Sequence, residues 1–368
     1  MGELRVTLVA EQLRTRPTSG IATYTRGLLL GLQQLAAEAA AGVPVPAVTL
    51  VAGRPTGADD PLAAWGWPVH SSRLPGRALV RLWDRGLGRV DGPSDVVHAP
   101  SLASPPPGPA PLVVTVHDLA FREVPETFPA RGRRWHEAAL TRALRAAAAF
   151  VTPSDRTADL LTAAGAGRER VIVINEGCDH LPVADTEGAG AALARIGVHG
   201  PYLLSVSTLE PRKNLSRLVD AYGRAREQLP EPWPLVIVGP MGWGPALMPV
   251  PGVKLAGVVT DAVLAGLYAG ARCVAYVPLV EGWGLPAVEA MAACTPVVAS
   301  PMPSTGGAAL EVDPTDVDAI ADALAVATGD DRRRSELVTA GLMRARELTW
   351  ASAARAHAAL WHDVAGRS

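Results

Sequence analysis

Two glutamates, Glu281 and Glu289, flank a glycine-rich segment with seven residues between them. The turn after Glu281 holds Gly282, Trp283 and Gly284, and its glycines let the backbone approach a ligand closely and direct N–H groups at it. A helix expected to follow would begin with an electropositive end that suits a phosphate. A carboxylate in the turn would repel a bare phosphate, but carboxylates accept hydrogen bonds from neutral hydroxyls. The pattern therefore favours a ligand that is rich in hydroxyls at both ends and anionic in the middle, such as a nucleotide sugar.

The sequence around this turn predicts a strand, turn, helix and strand. An apolar, β-prone run at 273–277 stops at Pro278, residues 285–293 are helix-like, and a second apolar run follows at 297–299. Pro286 lies near the first helical position, where its missing N–H costs least. In open parallel sheets, ligands bind at the carboxyl ends of strands, which is where this turn lies. The alternative is a surface turn with solvated glutamates, which the flanking buried strands disfavour.

A pair of cations, Arg212 and Lys213, follows another predicted strand that ends at Ser207. A helix is expected from Leu215, so the two residues lie just before its N-terminal end. Two cations and the exposed N–H groups of a helix can together neutralise a diphosphate. The alternative is a pair of solvated charges, although this is the only adjacent Arg-Lys pair in the chain.

A histidine and a carboxylate, His117 and Asp118, follow the apolar strand predicted at 112–116. They would share one sheet edge with Gly20, which lies between the first predicted strand and the first predicted helix. Histidine changes charge near neutrality and can hold a hydroxyl. For an isolated histidine, a hydrogen bond to a neighbouring carbonyl is the alternative, and His98 is a weaker second candidate.

Four segments resemble the family 4 (GT4) retaining glycosyltransferases. The family's E-x7-E signature is found at 281–289, and its diphosphate-binding motif resembles E-P-R-K-N at 210–214. The family's inner-site histidine resembles that of H-D-L at 117–119, and the start of its first helix resembles S-G-I-x-x-Y at 19–24. The resemblance covers nearly the whole chain and is strongest from 202 to 299.

The resemblance implies an α/β protein of GT-B fold, with two Rossmann-like domains whose parallel sheets face a central cleft. The N-terminal, acceptor-side domain would span 1–185, and the nucleotide-sugar domain 186–349. The last helix, 350–365, would pack back on the N-terminal domain. The implied reaction is transfer of a hexose from a nucleotide-diphosphate sugar to a hydroxyl, with retention at the anomeric carbon.

The resemblance also implies roles for individual residues. Arg212 and Lys213 would stabilise the departing diphosphate, Glu281 would hold sugar hydroxyls across the ligand from them, Glu289 would hold the ribose, and His117 would line the sugar and acceptor side. The predicted catalytic residues are His117, Arg212, Lys213 and Glu281. The donor-binding set is Gly20, Ser207, Arg212, Lys213, Val258, Glu281, Gly282, Trp283, Gly284, Leu285 and Glu289.

One departure from the family pattern concerns Glu176. It interrupts the N-G-V-D-like segment that relatives carry before the domain crossover, so no binding role is assigned to it.

The favoured donor is GDP-mannose, with UDP-glucose or another nucleotide sugar as alternatives. The acceptor would be a hydroxyl of a glycan, a glycolipid or a small molecule. No cofactor and no metal are expected, because no Asp-x-Asp has a clear metal context. A non-catalytic nucleotide-sugar binder and a phosphorylase-like protein stay open, whereas an NAD enzyme is disfavoured because no G-x-G-x-x-G follows the first strand.

Bulk composition bounds the possible functions. The 368 residues are enough for two domains, and a net charge of −2 argues against a general nucleic-acid binder. Three cysteines without C-x-x-C spacing indicate reduced thiols. We expect no signal peptide, because the N-terminus leads directly into a predicted strand, and no apolar run in the sequence is long enough to cross a bilayer. We expect a cytoplasmic protein, with the inner membrane face as the alternative location.

An arginine series with four-residue spacing predicts one stripe along an amphipathic helix. Its members are Arg73, Arg77, Arg81, Arg85 and Arg89. A solvated helix face is the favoured interpretation, and peripheral contact with anionic membrane lipid is the alternative.

Overall fold

The chain divides into two compact units in the computed structural model. The structure describes residues 3–15, 19–38, 45–57, 59–90, 92–228, 231, 233–244, 247 and 250–367. The first unit runs to Leu119, resumes over Ala130–His180 and includes the chain from Thr349 onward. The second unit is formed by Ala120–Pro129 and Leu181–Leu348. The sequence predicts one domain boundary, at residue 185, and this does not account for Ala120–Pro129, which belongs to the second unit.

The first unit is built on a parallel sheet. Its seven strands in the described residues are β1 Arg5–Val9, β2 Ala47–Arg54, β3 Val69–Pro75, β4 Val96–Ala99, β5 Leu112–Thr115, β6 Ala149–Thr152 and β7 Val171–Val173. They pair in the order β3-β2-β1-β4-β5-β6-β7, and every pairing is parallel. Strands β4, β5 and β6 are buried at each position, which is typical of parallel sheets covered on both faces.

The second unit contains another parallel sheet. Its six strands in the described residues are β8 Leu203–Val206, β9 Leu235–Val238, β10 Val253–Gly257, β11 Cys273–Tyr276, β12 Val297–Ala299 and β13 Leu310–Glu311. They pair in the order β10-β9-β8-β11-β12-β13. The order reverses beside β8 and β11, and such a switch point is where open α/β sheets bind ligands.

Helices connect the strands of both sheets. Those of the first unit are α1 Gly20–Glu38, α2 Gly76–Trp83, α4 Ala130–Ala146, α5 Asp155–Ala163 and α12 Trp350–Gly366. Those of the second unit are α3 Ala120–Glu123, α6 Thr186–Arg195, α7 Leu215–Gln228, α8 Asp261–Gly270, α9 Leu285–Ala292, α10 Val317–Gly329 and α11 Asp331–Glu347.

The C-terminal helix α12 packs closely against α1 within the first unit. Gly27 and Gly31 of α1 make the approach possible, because a Cβ at either position would clash with Trp350. Trp350 and Trp361 of α12 are both fully buried. The last helix is therefore part of the core of the first unit.

The arginine series at 73–89 does not lie on one helix, so that prediction is wrong. Only Arg77 and Arg81 lie within α2, whereas Arg73 belongs to β3 and the last two arginines follow the helix. The helix ends because Gly86 adopts a left-handed conformation with φ 72°, as glycines after helix ends commonly do.

Within the described part of the chain, no helix has both the length and the apolar character needed to span a membrane.

Candidate active site

The strand, turn, helix and strand predicted around the paired glutamates are confirmed as β11, the turn at 277–284, α9 and β12. Gly284 caps the start of α9 in a left-handed conformation with φ 106°, and a Cβ there would clash with Met302. Pro286 lies in the first turn of the helix, as expected. The glycine is therefore required both by the backbone and by the packing.

A buried charged cluster joins this turn to the segment that follows β8. Arg212 Nη1 donates to Glu281 Oε1 at 2.8 Å, and Lys213 Nζ makes a short contact with the same oxygen. Arg212 Nη2 also donates to Glu210 Oε1 at 3.0 Å. Tyr276, the last residue of β11, accepts from Lys213 Nζ at 2.7 Å and donates to Glu281 Oε1 at 2.8 Å.

Glu281 is in direct contact with both cations. This differs from the expected arrangement, in which a bound ligand would lie between Glu281 and the cations. The four charged side chains are only 13% (Arg212), 14% (Lys213), 10% (Glu281) and 8% (Glu210) exposed. Because two cations and two carboxylates lie together, the charges of these four groups sum to zero.

Burial and neighbouring charges shift the ionisation of the cluster. Burial alone would raise the pKa of Glu281, but Arg212 and Lys213 outweigh it and lower that pKa to about 2. Burial and the adjacent Arg212 guanidinium lower the pKa of Lys213, against the attraction of Glu281. The Glu281 carboxylate therefore stays ionised near neutrality, and Lys213 loses its proton more readily than an exposed lysine.

Glu289 lies in α9, the helix that follows the glycine-rich turn. It is buried, and its Oε2 accepts a hydrogen bond from Tyr268 of α8 at 2.7 Å. The structure brings Glu281 together with the cations but holds Glu289 separately, through a different tyrosine.

Two other predicted donor contacts carry buried polar atoms that have no hydrogen-bond partner among the described residues. These atoms are Ser207 Oγ, just beyond β8, and Trp283 Nε1, in the glycine-rich turn. Burying a polar group without a partner is costly, so Ser207 Oγ is a candidate to donate to or accept from a ligand, and Trp283 Nε1 is a candidate to donate to one. Val258 differs from them, because it lies just after β10 and is 62% exposed.

His117 is held at both ring nitrogens in the first unit. Nδ1 lies 3.1 Å from Glu176 Oε1, and Nε2 lies 3.0 Å from the carbonyl oxygen of Pro100. Both partners accept, so both nitrogens donate, which is the pattern of a protonated ring. Burial alone would lower the pKa of His117, but the hydrogen bond and charge of Glu176 raise it.

Glu176 is therefore a site residue that sequence reasoning missed. It is buried, and its carboxylate fixes both the charge and the orientation of His117. The signal that could have found it is its interruption of the family-like segment, three positions after the end of β7.

His98, the weaker candidate, belongs to a buried structural network. His357 Nδ1 donates to the carbonyl of Ala353 at 2.7 Å, so its Nε2 accepts from Tyr24 OH at 2.8 Å. Thr115 Oγ1 links Tyr24 OH at 3.1 Å to His98 Nε2 at 2.9 Å. Burial lowers the pKa of His98 well below its ordinary value. This chain of hydrogen bonds connects α12 and α1 with β4 and β5.

Gly20 is the first residue of α1 and is exposed. No described atom lies within 4 Å of the position that a Cβ would take there. Packing therefore does not require glycine at this position, which leaves room for the close approach of a ligand.

No group of three or more His, Cys, Asp or Glu side chains within the described ranges is arranged to hold a metal ion.

Two family profiles match the chain in succession. A glycosyl transferase 4-like domain matches residues 19–177, and glycosyl transferases group 1 matches residues 200–330. The chain is 30% identical over 253 residues to O-antigen chain mannosyltransferase B of Escherichia coli, covering 65% of this chain and 66% of that enzyme, just under two thirds of its length. It is 31% identical over 307 residues to D-inositol 3-phosphate glycosyltransferase of Xylanimonas cellulosilytica, covering 73% of this chain and 72% of that enzyme.

Solved structures share the fold. Anabaena HepE in complex with UDP-glucose superposes with a TM-score of 0.70 at 18% identity, covering 98% of this chain and 100% of HepE. Sucrose-phosphate synthase of Thermosynechococcus elongatus gives the same TM-score and identity, with full coverage of both chains. With two parallel-sheet units of this topology and both profiles in sequence, the chain belongs to the GT4-type (group 1) glycosyltransferases of GT-B fold.

Proposed function

We propose that this protein transfers a hexose from a nucleotide-diphosphate sugar to an acceptor hydroxyl. The observation that carries the proposal is the buried pair Arg212 and Lys213 beside Glu281, at the carboxyl ends of β8 and β11. Charged side chains are seldom buried, and this cluster lies at the edge of a parallel sheet where ligands bind.

In the proposed reaction the bond between the anomeric carbon and the diphosphate breaks. The anomeric carbon forms a bond to the acceptor oxygen, and that oxygen passes its proton to the departing diphosphate. Arg212 and Lys213 offset the negative charge that develops on the departing diphosphate, an electrostatic contribution that often dominates such catalysis. Glu281 accepts hydrogen bonds from sugar hydroxyls, Glu289 accepts them from the ribose, and Ser207 Oγ gains a partner.

The remaining proposed contacts are those that the family resemblance implies. The turn residues from Gly282 to Leu285 offer backbone N–H groups to the donor, the backbone at Val258 faces the base, and Gly20 offers its backbone to the donor. His117 lines the sugar and acceptor side as a charged ring, which Glu176 and the carbonyl of Pro100 hold in place.

Mannose from GDP-mannose is the favoured donor. The names of the E. coli relative and of a mannosyltransferase from Mycolicibacterium hassiacum, 29% identical over 281 residues, support mannose. UDP-glucose is the second candidate, since the HepE structure contains it. A binding assay with GDP-mannose and UDP-glucose distinguishes the two.

We further propose that the reaction retains the anomeric configuration and needs no metal. Arg212 and Lys213 would give the diphosphate its counter-charge once a donor draws Glu281 away from them, which supports the second part. Proton NMR of the first product formed tests retention, and activity in excess EDTA tests the metal requirement. An inverted product or complete loss of activity in EDTA would contradict the respective part.

The test of the proposal is Lys213→Ala. Removing one preorganised charge from a developing anion costs about a hundredfold or more in rate, so donor turnover should fall by at least that factor. Lys254→Ala, which changes the chain's other lysine on β10, is the matched control and should keep its rate. Unchanged turnover in Lys213→Ala would refute the proposal, and tight donor binding without any turnover in the wild type would point to a non-catalytic binder.

A further inference from the structure

Glu281 contacts the same donors that a diphosphate would need. Its Oε1 accepts from Arg212 Nη1 at 2.8 Å, from Lys213 Nζ and from Tyr276 OH at 2.8 Å. One carboxylate oxygen thus engages both cations of the proposed diphosphate site. A phosphate oxygen seeking those N–H groups competes with it for the same hydrogen bonds.

The charges of the cluster make this competition severe. Glu210 pairs with Arg212, so the two cations are already offset by two carboxylates. A diphosphate entering beside Glu281 would bring further negative charge next to a buried carboxylate, and like charges at short range in a protein interior repel strongly. Because Glu281 stays ionised at neutral pH, protonation does not relieve the repulsion there.

Sugar hydroxyls offer a way to draw the carboxylate off the cations. A carboxylate is an acceptor only, and a hexose presents several neutral O–H donors. Glu281 lies at the start of the glycine-rich turn, in which Gly284 gives the backbone a conformation open to few other residues. A donor that brings both a hexose and a diphosphate can supply hydroxyls to Glu281 and phosphate oxygens to the cations together.

We infer that Glu281 is an internal competitor for Arg212 and Lys213, which makes the site select a glycosylated nucleoside diphosphate over the free one. This inference rests on the proposed function and assigns Glu281 a second role within it. The hexose relieves the competition when the donor binds. Once the hexose has been transferred, its hydroxyls are gone and the carboxylate returns to the cations, which promotes release of the nucleoside diphosphate.

The experiment is calorimetric titration of the wild type and Glu281→Gln with GDP and with GDP-mannose, and then with UDP and UDP-glucose. Glutamine keeps the size of the side chain and removes its charge. The variant should bind the free nucleoside diphosphate about tenfold more tightly or better, since a hydrogen-bonded charge pair is worth that much. Its preference for the sugar nucleotide over the free nucleotide should shrink accordingly.

The matched control is Glu336→Gln. Glu336 also bridges two adjacent arginines, Arg332 and Arg333 at 3.0 Å each, but on the exposed surface of α11. It should leave both affinities unchanged, which separates a local effect from a change in total charge.

The possible results separate the inference from the proposed function. If Glu281→Gln binds the free nucleotide no more tightly than the wild type, the inference is overturned while donor binding by the wild type upholds the site. If the wild type binds neither nucleotide pair, the proposed function fails first. Should Glu281→Gln not fold, Glu281→Asp withdraws the carboxylate from Lys213 by one methylene. Tighter binding of the free nucleotide by that variant then supports the inference, and equal or weaker binding overturns it.

Discussion

Tyr276 makes hydrogen bonds to both Lys213 and Glu281. Its hydroxyl bridges Lys213 Nζ at 2.7 Å and Glu281 Oε1 at 2.8 Å, and the Lys213 nitrogen lies 5.2 Å from the centre of its ring. Sequence reasoning did not find it, because a tyrosine in a buried β-prone run reads as a core residue.

Tyr276→Phe should therefore lower kcat about tenfold, since it removes one hydrogen bond from each of two charged groups. Tyr222→Phe is the control, because Tyr222 is buried in the same unit and donates only to the backbone carbonyl of Trp233 at 2.9 Å among the contacts described. Steady-state kinetics and melting curves of both variants test the point. Equal loss of kcat in the two would show that Tyr276 acts only through stability.

Glu176 sets the charge of His117, so Glu176→Gln should lower the pKa of that histidine. The carboxylate contact raises the pKa against the effect of burial, and a neutral amide leaves burial unopposed. A group with a raised folded-state pKa stabilises the fold below its unfolded pKa and loses that contribution as pH rises through the folded value. NMR titration of His117 in both proteins measures the shift, and an unchanged midpoint would contradict it.

Some residues of the candidate site could be predicted from the sequence, and others could not. Arg212, Lys213 and Glu281 were singled out together because their types and positions suit one ligand, and the structure brings them into contact. The roles of Glu176 and Tyr276 were not predicted, because they depend on partners 59 and 63 positions away. No local pattern records such a pairing.

At the scale of elements, the buried histidine network makes the docking of α12 sensitive to acid. Burial lowers the pKa of His357 from 6.5 to about 4, so the unfolded chain binds the proton more readily than the folded one. This group therefore contributes about 3 kcal/mol to the free energy of unfolding. The contribution is complete above pH 6.5 and is lost as the pH falls towards 4. His98 acts in the same direction.

His357→Gln should flatten this dependence, because glutamine can still accept from Tyr24 but does not titrate in this range. Urea unfolding followed at about pH 7 and about pH 5 gives the two free energies, and their difference should be smaller in the variant. An identical loss of stability in both proteins would place the acid sensitivity elsewhere.

Element prediction succeeded where the local chemistry was strong and failed where it was mixed. The apolar runs of β11 and β12 and the proline at the start of α9 defined their elements correctly. The arginine series misled, because four-residue spacing suggested one helix although glycines and Pro75 interrupt it. Spacing alone did not outweigh those breakers.

At the scale of the whole molecule, Ala120–Pro129 belongs to the second unit although it interrupts the first in sequence. Trp243, in the loop after β9, donates from Nε1 to the carbonyl oxygen of Thr127 at 2.9 Å, and its ring lies 6.3 Å from that of Phe128. Two parallel sheets could be predicted from alternating strands and helices, but this assignment depends on a contact across 116 positions.

Trp243→Ala should release the segment and increase tryptic cleavage after Arg122, because local opening governs access to a protease. Met241→Ala, which removes a more exposed side chain from the same loop, is the control. Limited proteolysis with mass spectrometry measures both rates. Equal cleavage in the two variants would show that Trp243 does not hold the segment.

The central claim is that Arg212 and Lys213 bind the diphosphate of a nucleotide donor. A crystal structure of the protein with a bound nucleoside diphosphate, GDP first and UDP second, tests it most directly. The account predicts phosphate oxygens about 3 Å from the Arg212 guanidinium and from Lys213 Nζ. A diphosphate bound elsewhere, with both cations still paired to Glu281, would contradict it.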